Sequence, residues 1–308
     1  MNNQHRASDN PPIRNSDIHC LGVFRSVVEC KGVSMAAIKL NVDVSTVSRQ
    51  LKDLETRLDL RLCERGRSGF SLTTEGESVF RLTCDLLLSI EDFEDRIDEI
   101  RGRAGGQLRI GAINHVRTNN KIGFGQVIRR INEKAPELEV GYTVMSQSEI
   151  CRAVLNGHIH IGITAHDRVH PELDRLVIYT EEHHLFCSRG HPLYEMSETQ
   201  LKLSSLHKQK YVGRERSSLL NDVAESLGLI RGAAANNVEA ITVLVESGLY
   251  LGYLPAHHVA ALSNKRDFRA INIQRTIINV PLFLYHRKGA RRFSPVRMFI
   301  NEIKAVKT

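Results

Sequence analysis

Long hydrophobic runs are missing from this 308-residue sequence. Its longest apolar pieces, such as Leu86–Leu88 and Val280–Leu284, fall far short of the roughly 18 residues that a membrane span needs. The polar N-terminus has no apolar signal core, and the six cysteines occur singly, without a CxxC pair. These absences exclude a membrane protein and a secreted disulfide scaffold, and they predict a cytoplasmic chain with reduced thiols.

The composition is that of an ordinary globular protein, with 42% hydrophobic and 25% charged residues. The length is typical of two or three domains. A net charge of +7 is compatible with nucleic-acid binding, but most of the basic excess lies in the C-terminal two thirds. Net charge alone therefore does not locate a DNA-binding region.

Apolar periodicity and turn residues predict three short helices and a two-stranded wing after a flexible leader. The expected elements are the leader at 1–16, a helix at 18–30, a helix at 35–40 capped by Ser34, a helix at 44–58 capped by Asp43, and the wing at 61–72. The third helix has one apolar stripe, and its other face carries small polar and basic side chains. A helix of this kind fits the major groove of DNA. On periodicity alone, a plain three-helix bundle with a solvated face remains open.

A long helix is predicted from Thr74 to Arg101, followed by a glycine-rich hinge that ends at residue 106. Its apolar residues follow a spacing close to a heptad repeat, which favours pairing with a second copy of the helix. The predicted dimerisation residues are Val79, Leu82, Leu86, Ile90, Phe93 and Ile97. We therefore assign residues 17–73 to a winged helix-turn-helix domain and residues 74–106 to a linker.

Residues 107–308 show short β-branched runs that alternate with helical stretches. This alternation is typical of an α/β sheet, and its division into two sets predicts two lobes with a cleft between them.

Several N-terminal motifs resemble the winged helix-turn-helix of LysR-type transcriptional regulators. The matching motifs are Ala36-Ala37, Val47-Ser48-Arg49-Gln50, Leu54-Glu55, Arg61-Leu62, Glu64-Arg65 and Leu72-Thr73-x-x-Gly76. The order of parts also resembles that family, in which the C-terminal domain is similar to periplasmic binding proteins. The resemblance implies a ligand-responsive regulator that binds inverted-repeat operators as a dimer or tetramer. Its implied partners are double-stranded DNA, a small effector, further copies of itself and RNA polymerase, with no membrane partner.

The same resemblance, with the polar face of the third helix, gives the candidate DNA-binding residues. They are Ser34, Val44, Ser45, Thr46, Ser48, Arg49, Lys52, Arg65 and Arg67. Val44 and Ser45 stand where the family often has Gln and Pro. A base contact made through that Gln in relatives is therefore not expected here.

In the family the effector lies between the two lobes. The candidate effector-binding residues are Asn114, His115, Arg117, Thr118, Ser146, Gln147, Thr164, Arg214 and Ser217. Arg117, close to a predicted helix start, favours a carboxylate or another anion. The alternative is that several of these residues only cap helices.

Four alternative functions have weaker support in the sequence. A metal-responsive regulator is suggested by the many histidines between His158 and His191, but no compact ligand motif occurs, and scattered surface histidines are expected. A redox switch at Cys187 has no second cysteine nearby in sequence. An enzyme is disfavoured because no nucleophile–base pairing or phosphate loop stands out, so no catalytic residue and no cofactor are predicted. A ligand-free architectural DNA binder remains open.

Overall fold

The computed structural model describes residues 14–66, 69–101, 106–119, 121–165, 170–215, 218–273 and 275–307. The chain forms two compact units that divide between Glu94 and Asp95. None of the helices in the described ranges is long and apolar enough to cross a membrane. The predicted leader lies almost entirely outside the described residues, and the first helix already begins at Asn15.

The N-terminal unit contains the predicted helices and wing. Its elements are α1 (Asn15–Glu29), α2 (Val33–Leu40), α3 (Val44–Leu58), β1 (Cys63–Gly66), β2 (Gly69–Leu72) and the first part of α4 (Thr74–Ile100). The two wing strands pair antiparallel. The prediction that Ser34 caps the second helix is wrong, because α2 begins at Val33, two residues before the predicted start, and Gly32 occupies its N-cap. Asp43 does occupy the N-cap of α3, although its side chain makes no capping hydrogen bond.

The core of this unit comes from the apolar faces of α1, α2 and α3 and from the start of α4. Ala36 and Ala37 are buried, as their small size predicts for a close helix contact. The rings of Phe24 and Phe80 meet edge to face with their centroids 6.3 Å apart. Phe80 and Cys84 bring one face of α4 into this core.

This packing involves part of the predicted dimerisation seam on α4. Val79 and Leu86 are partly buried against the core of their own unit. Ile90 and Ile97 are half-buried. Leu82 and Phe93 remain 67% and 63% exposed. Of the six predicted seam residues, only Leu82 and Phe93 are therefore largely exposed in a single chain.

The C-terminal unit alternates strands and helices, as its sequence pattern predicts. Its elements are β3 (Gln107–Ala112), α5 (Phe124–Lys134), β4 (Glu139–Val144), α6 (Gln147–Leu155), β5 (Ile161–Thr164), β6 (Leu173–Ser188), α7 (Leu203–Leu206), β7 (Lys210–Arg214), α8 (Leu219–Ser226), β8 (Ile230–Ala235), α9 (Val238–Glu246), β9 (Leu251–Pro255), α10 (Ala256–Ala260), β10 (Phe268–Ala270), β11 (Ile277–Arg287) and α11 (Ser294–Lys307). Short 3₁₀ turns lie at Asn114–Thr118, Lys265–Asp267 and Ala290–Arg292.

One sheet runs through this whole unit in the order β4-β3-β5-β11-β6-β9-β7-β8, with β10 beside β6. The first lobe is built on β3, which pairs parallel with β4 and β5. The second lobe is built on β7, which pairs parallel with β8 and β9. The long strand β6 joins the lobes, because it pairs with β11 along most of its length and with β9 from His183 onward. Residues on β6 near His183 therefore lie where the two lobes meet.

Some element boundaries differ from the sequence prediction. The sequence pattern predicts a helix from about Lys121 to Glu133, whereas the helix begins at Phe124, after Gly123 in a left-handed conformation. The pattern also predicts a late strand at 282–285, whereas β11 is longer because it pairs with β6 from Leu173 to His184. The strands β7 and β8 were not predicted.

Candidate functional site

The polar face of α3 is presented to solvent because its opposite stripe is held in the core. Val47, Leu51 and Leu54 are at most 2% exposed. The DNA-binding candidates on this helix consequently lie on its accessible side: Val44, Ser45, Arg49 and Lys52 are exposed, and Thr46 and Ser48 are half-buried. Ser34 is exposed on α2, whereas Arg67 and the side chain of Arg65 lie outside the described residues.

Two of the family motifs connect the wing to its neighbouring helices. The Glu55 carboxylate accepts hydrogen bonds from the backbone N–H groups of Leu62 and Cys63, at 2.8 and 3.2 Å, where the wing begins. The Thr73 hydroxyl donates to the carbonyl of Arg61 at 2.6 Å and accepts from the N–H of Gly76 at 2.9 Å, where α4 begins. These contacts fix both ends of the wing relative to α3 and α4.

The candidate effector residues do not all come together. Asn114, His115 and Thr118 lie on the 3₁₀ turn after β3, with His115 buried. Arg117 on the same turn is exposed and makes no hydrogen bond with a described residue. Ser146 and Gln147 start α6, where Ser146 forms a capping box with Glu149, as the capping alternative expects.

Two further candidates end strands of the sheet. Thr164 on β5 is fully buried, and its hydroxyl oxygen has no hydrogen-bond partner among the described residues. Arg214 ends β7. Ser217 lies outside the described residues.

A carboxylate that was not among the sequence candidates organises the junction of the lobes. Glu181 on β6 is 1% exposed. One carboxylate oxygen, Oε2, lies 3.1 Å from His115 Nε2 and 3.2 Å from His183 Nε2. The other, Oε1, lies 3.0 Å from His257 Nε2 and 3.2 Å from the Tyr179 hydroxyl. Its described ion-pair partners are therefore all imidazoles.

Three elements bring this cluster together. Alternation along β6 places Tyr179, Glu181 and His183 on one face of the strand. His115 comes from the 3₁₀ turn of the first lobe, and His257 from α10, directly after β9 of the second lobe. The spacing of Glu181 and His183 could have indicated that both side chains lie on one face of a strand. His115 and His257 are too distant from them in sequence to be found by spacing.

The histidines were expected to be scattered over the surface, and for two of them this is wrong. His183 and His191 are buried, at 2% and 4% exposure. His183 is held at Nε2 by Glu181, whereas its Nδ1 is buried without a hydrogen-bond partner in the described part of the chain.

Burial and hydrogen bonding set the charges in the cluster. Burial raises the pKa of Glu181, but the hydrogen bonds from His115, His183 and His257 outweigh burial and hold this pKa well below its ordinary value. Burial lowers the pKa of His183 to about 4, although the neighbouring Glu181 carboxylate opposes this shift. The Glu181 carboxylate is therefore ionised at neutral pH and is compensated by hydrogen bonds from its neighbours.

Arg214 adds a positive charge beside this cluster. Burial lowers its pKa to about 10, which leaves the guanidinium charged at neutral pH, and the Glu181 charge opposes the shift. The side chain is half-buried, and its guanidinium forms no hydrogen bond or ion pair with a described residue. A half-buried cation of this kind can bind an anion through paired N–H donors.

The cysteines show no disulfide among the described residues, since all six are free thiols. Cys187 is fully buried on β6. Burial raises the pKa of its thiol to about 11, in spite of the opposing charge of Arg269. A thiol with this pKa is almost entirely protonated at neutral pH, which disfavours the thiolate chemistry of a redox switch.

The fold and the exposed α3 face define a winged helix-turn-helix protein that also carries a two-lobed α/β domain. Family comparison agrees: residues 18–77 match the bacterial regulatory helix-turn-helix protein model of the lysR family, and residues 101–307 match the LysR substrate binding domain. The chain belongs to the LysR family of transcriptional regulators.

Similar proteins cover nearly the whole chain. The HTH-type transcriptional activator BauR of Pseudomonas aeruginosa is 30% identical over 287 residues, covering 93% of this chain and 94% of BauR. A full-length OxyR variant from Pseudomonas aeruginosa superposes with a TM-score of 0.66 at 17% identity, covering 96% of both chains. Full-length CbnR in complex with its target DNA superposes with a TM-score of 0.60 at 22% identity, covering 94% of this chain and 99% of CbnR. The relatives are named as transcriptional regulators, not as enzymes.

Proposed function

We propose that this regulator binds an inverted-repeat operator through α3 and the wing, and that a small anion bound between the lobes switches its output. The observation that carries the effector assignment is Arg214, a half-buried guanidinium without a described partner beside the buried Glu181 cluster. The histidines already compensate the Glu181 charge by hydrogen bonding. A carboxylate ligand would therefore meet a cation that is not committed to a protein anion.

The position of this cation explains how an anion would act. Arg214 ends a strand of the second lobe, whereas His115 and Thr118 belong to the first lobe. Thr118 already connects the lobes, since its hydroxyl lies 2.9 Å from His257 Nδ1. A ligand that contacts both sides would favour one relative arrangement of the lobes, and it would shift the conformational equilibrium by its difference in affinity for the two states.

Assembly as a dimer or tetramer is part of the same proposal. An inverted repeat has two half-sites, and a symmetric pair of recognition helices matches them. The exposed apolar side chains of Leu82 and Phe93 on α4 support pairing through this helix.

The effector assignment is tested with purified full-length protein and a panel of mono- and dicarboxylates in a thermal-shift assay. A ligand that binds only the folded protein at a hundredfold excess over its Kd stabilises it by about 2.7 kcal/mol. We expect at least one carboxylate to raise the melting temperature, and we expect Arg214→Ala to abolish this shift while operator binding is retained.

Arg117→Ala is the matched control, because Arg117 is an exposed arginine on the turn of the opposite lobe. It should respond as the wild type does if Arg214 anchors the anion. A response lost in Arg117→Ala and retained in Arg214→Ala would instead assign the anion to the 3₁₀ turn. The absence of any shift across the panel would contradict the anionic effector itself.

A further inference from the structure

We propose that His115, His183 and Glu181 form a binding site for a divalent transition-metal ion such as Zn²⁺. The three side chains offer two imidazole nitrogens and one carboxylate oxygen that all lie within 4.8 Å of one another. All three residues are buried. This inference goes beyond the proposed function, because metal binding requires neither an operator nor an anionic effector.

The distances within the cluster suit a tetrahedral ion. A tetrahedral zinc site with ligands at about 2.0–2.1 Å from the metal has ligand atoms about 3.3 Å apart. Glu181 Oε2 lies 3.1 Å from His115 Nε2 and 3.2 Å from His183 Nε2. Two of the three ligand separations therefore match a tetrahedral site, and the third, between the two imidazole nitrogens, is within 4.8 Å.

The ring of His115 is oriented as metal-binding histidines usually are. Its Nδ1 lies 3.4 Å from the side-chain oxygen of Asn114. An amide oxygen only accepts hydrogen bonds, so a neutral His115 that donates from Nδ1 to Asn114 has the lone pair of Nε2 available for a cation, which would replace the hydrogen bond to Glu181. Metal-ligating histidines commonly donate their second N–H to a group of this kind.

The carboxylate is oriented by a separate set of contacts. His257 and the Tyr179 hydroxyl engage Oε1, so that Oε2 faces His115 and His183. His183 has its only described polar contact at Nε2, on this same side. One donor atom from each of the three residues thus lies within 4.8 Å of the other two.

Three protein ligands leave one tetrahedral position for water or another ligand. The ion would join the 3₁₀ turn of the first lobe to β6, the strand that the lobes share. Two nitrogens and one carboxylate oxygen favour Zn²⁺, Co²⁺ or Fe²⁺ over Mg²⁺ or Ca²⁺, which prefer oxygen ligands.

The test uses full-length protein with any affinity tag removed, freed of metal by a chelator and titrated with Co²⁺. We expect one Co²⁺ per chain, with a visible d–d absorption band typical of tetrahedral coordination, and displacement of that band by Zn²⁺. His115→Gln and His183→Gln should each abolish the band. Asn114→Ala should weaken Co²⁺ binding by about 10- to 100-fold, the usual effect of losing an outer-shell partner.

His184→Gln is the matched control. His184 is the next residue on β6, on the other face of the strand, where it pairs with the exposed Glu182 at 3.6 Å. This variant should bind Co²⁺ as the wild type does. Circular dichroism and thermal melting of each variant separate lost ligands from lost folding.

Two results would overturn the metal site. One is a folded wild-type protein that takes up no stoichiometric Co²⁺ or Zn²⁺. The other is a band of equal intensity in the wild type, His115→Gln and His183→Gln. Neither result depends on Arg214. The proposal of an anionic effector is therefore tested separately, by the thermal-shift assay.

Discussion

Arg49 and Lys52 extend from α3 without a hydrogen bond or ion pair to any residue in the described ranges. Nearby basic side chains on the same unit are engaged: Lys39 pairs with Glu29 and Arg57 with Asp17. An exposed cation with no protein partner is available to a phosphate or to the edge of a guanine base. The charge that matters for DNA binding is thus decided by individual side chains and not by the total of +7.

We expect Arg49→Ala to weaken operator binding by about 1–3 kcal/mol and to relax specificity at one base pair, if its guanidinium contacts a guanine. If Arg49 binds a phosphate, affinity should fall equally on operator and random DNA, and the salt dependence should decrease by about one unit. Fluorescence anisotropy at several salt concentrations distinguishes the two outcomes.

Arg129→Ala serves as the control, because Arg129 is an exposed arginine of the C-terminal unit, paired with Glu133 at 3.0 Å. Its removal should leave operator binding unchanged. Unchanged binding of Arg49→Ala to both kinds of DNA would exclude Arg49 from the interface.

The buried side chain of His286 is expected to make the stability of the folded protein depend on pH. It is fully buried on β11. Its Nδ1–H donates to the carbonyl of Arg287 at 2.8 Å, and its Nε2 accepts from Arg291 at 3.2 Å. Burial lowers the pKa of this imidazole below its ordinary value; the Arg287 hydrogen bond opposes the shift, and the Arg291 charge adds to it. The folded protein therefore holds His286 neutral.

Because the pKa of His286 is lower in the folded than in the unfolded state, the unfolded chain binds more protons as the pH falls below about 6.5. The stability that neutral His286 contributes is thus present at higher pH and is lost on acidification. We expect the melting temperature of the wild type to decrease more between about pH 7 and pH 5 than that of His286→Gln, whose amide can both donate and accept. Parallel curves for the two proteins would contradict this assignment.

The wing and α4 meet at one close backbone contact. A Cβ atom added to Gly76 would lie 1.9 Å from the carbonyl oxygen of Leu62. Thr73 also contacts that carbonyl, through a backbone hydrogen bond of 3.1 Å. The glycine in the Leu72-Thr73-x-x-Gly76 motif is therefore required by space at the helix start and not by an unusual backbone conformation.

Gly76→Ala should destabilise the protein, by about 1–3 kcal/mol as overpacked sites usually do, although alanine favours helix formation. Gly22→Ala is the opposite case within α1, because no atom lies within 4 Å of its added Cβ. This variant should be stabilised by up to about 1 kcal/mol. Urea denaturation followed by circular dichroism measures both, and equal signs for the two variants would contradict the contact.

Among the helices and strands, periodicity predicted those whose packing depends on a repeat within one segment of the sequence. The Val47, Leu51 and Leu54 stripe fixed α3 almost to the residue, because helix packing depends on a repeat within one segment. The strand β8, with the sequence IRGAAA, was missed because glycine and alanine carry little strand preference. It forms through pairing with β7 at the edge of the sheet, which no local pattern reports.

The candidate site was predicted only in part for a similar reason. His115, Thr118 and Arg214 were among the candidates that the family resemblance implied. Glu181 and His257 were not, because they meet His115 only after β6 and α10 are brought together by the sheet. Contacts between residues so distant in sequence depend on tertiary structure, and neither charge nor spacing along the chain encodes them.

At the scale of the whole molecule, function depends on how copies of the chain assemble. Among the heptad residues of α4, Val79 and Leu86 pack on the core of their own unit. Leu82 and Phe93 contribute little to that core, at 67% and 63% exposure. A substitution at Leu82 therefore tests association without disturbing the fold of one chain, whereas a substitution at Leu86 would affect both.

We expect Leu82→Asp to abolish dimerisation through α4, because a charge buried between two helices without a partner is strongly unfavourable. Operator affinity should fall as well, since a single recognition helix contacts only one half-site. Multi-angle light scattering measures the assembly, and Arg81→Asp places an acidic side chain at an exposed position of α4 that lies about 100° around the helix from Leu82. The control should retain the wild-type mass. If Leu82→Asp also retains the wild-type mass, the exposed apolar residues of α4 do not pair the subunits, and the two operator half-sites must be brought together by another surface of the chain.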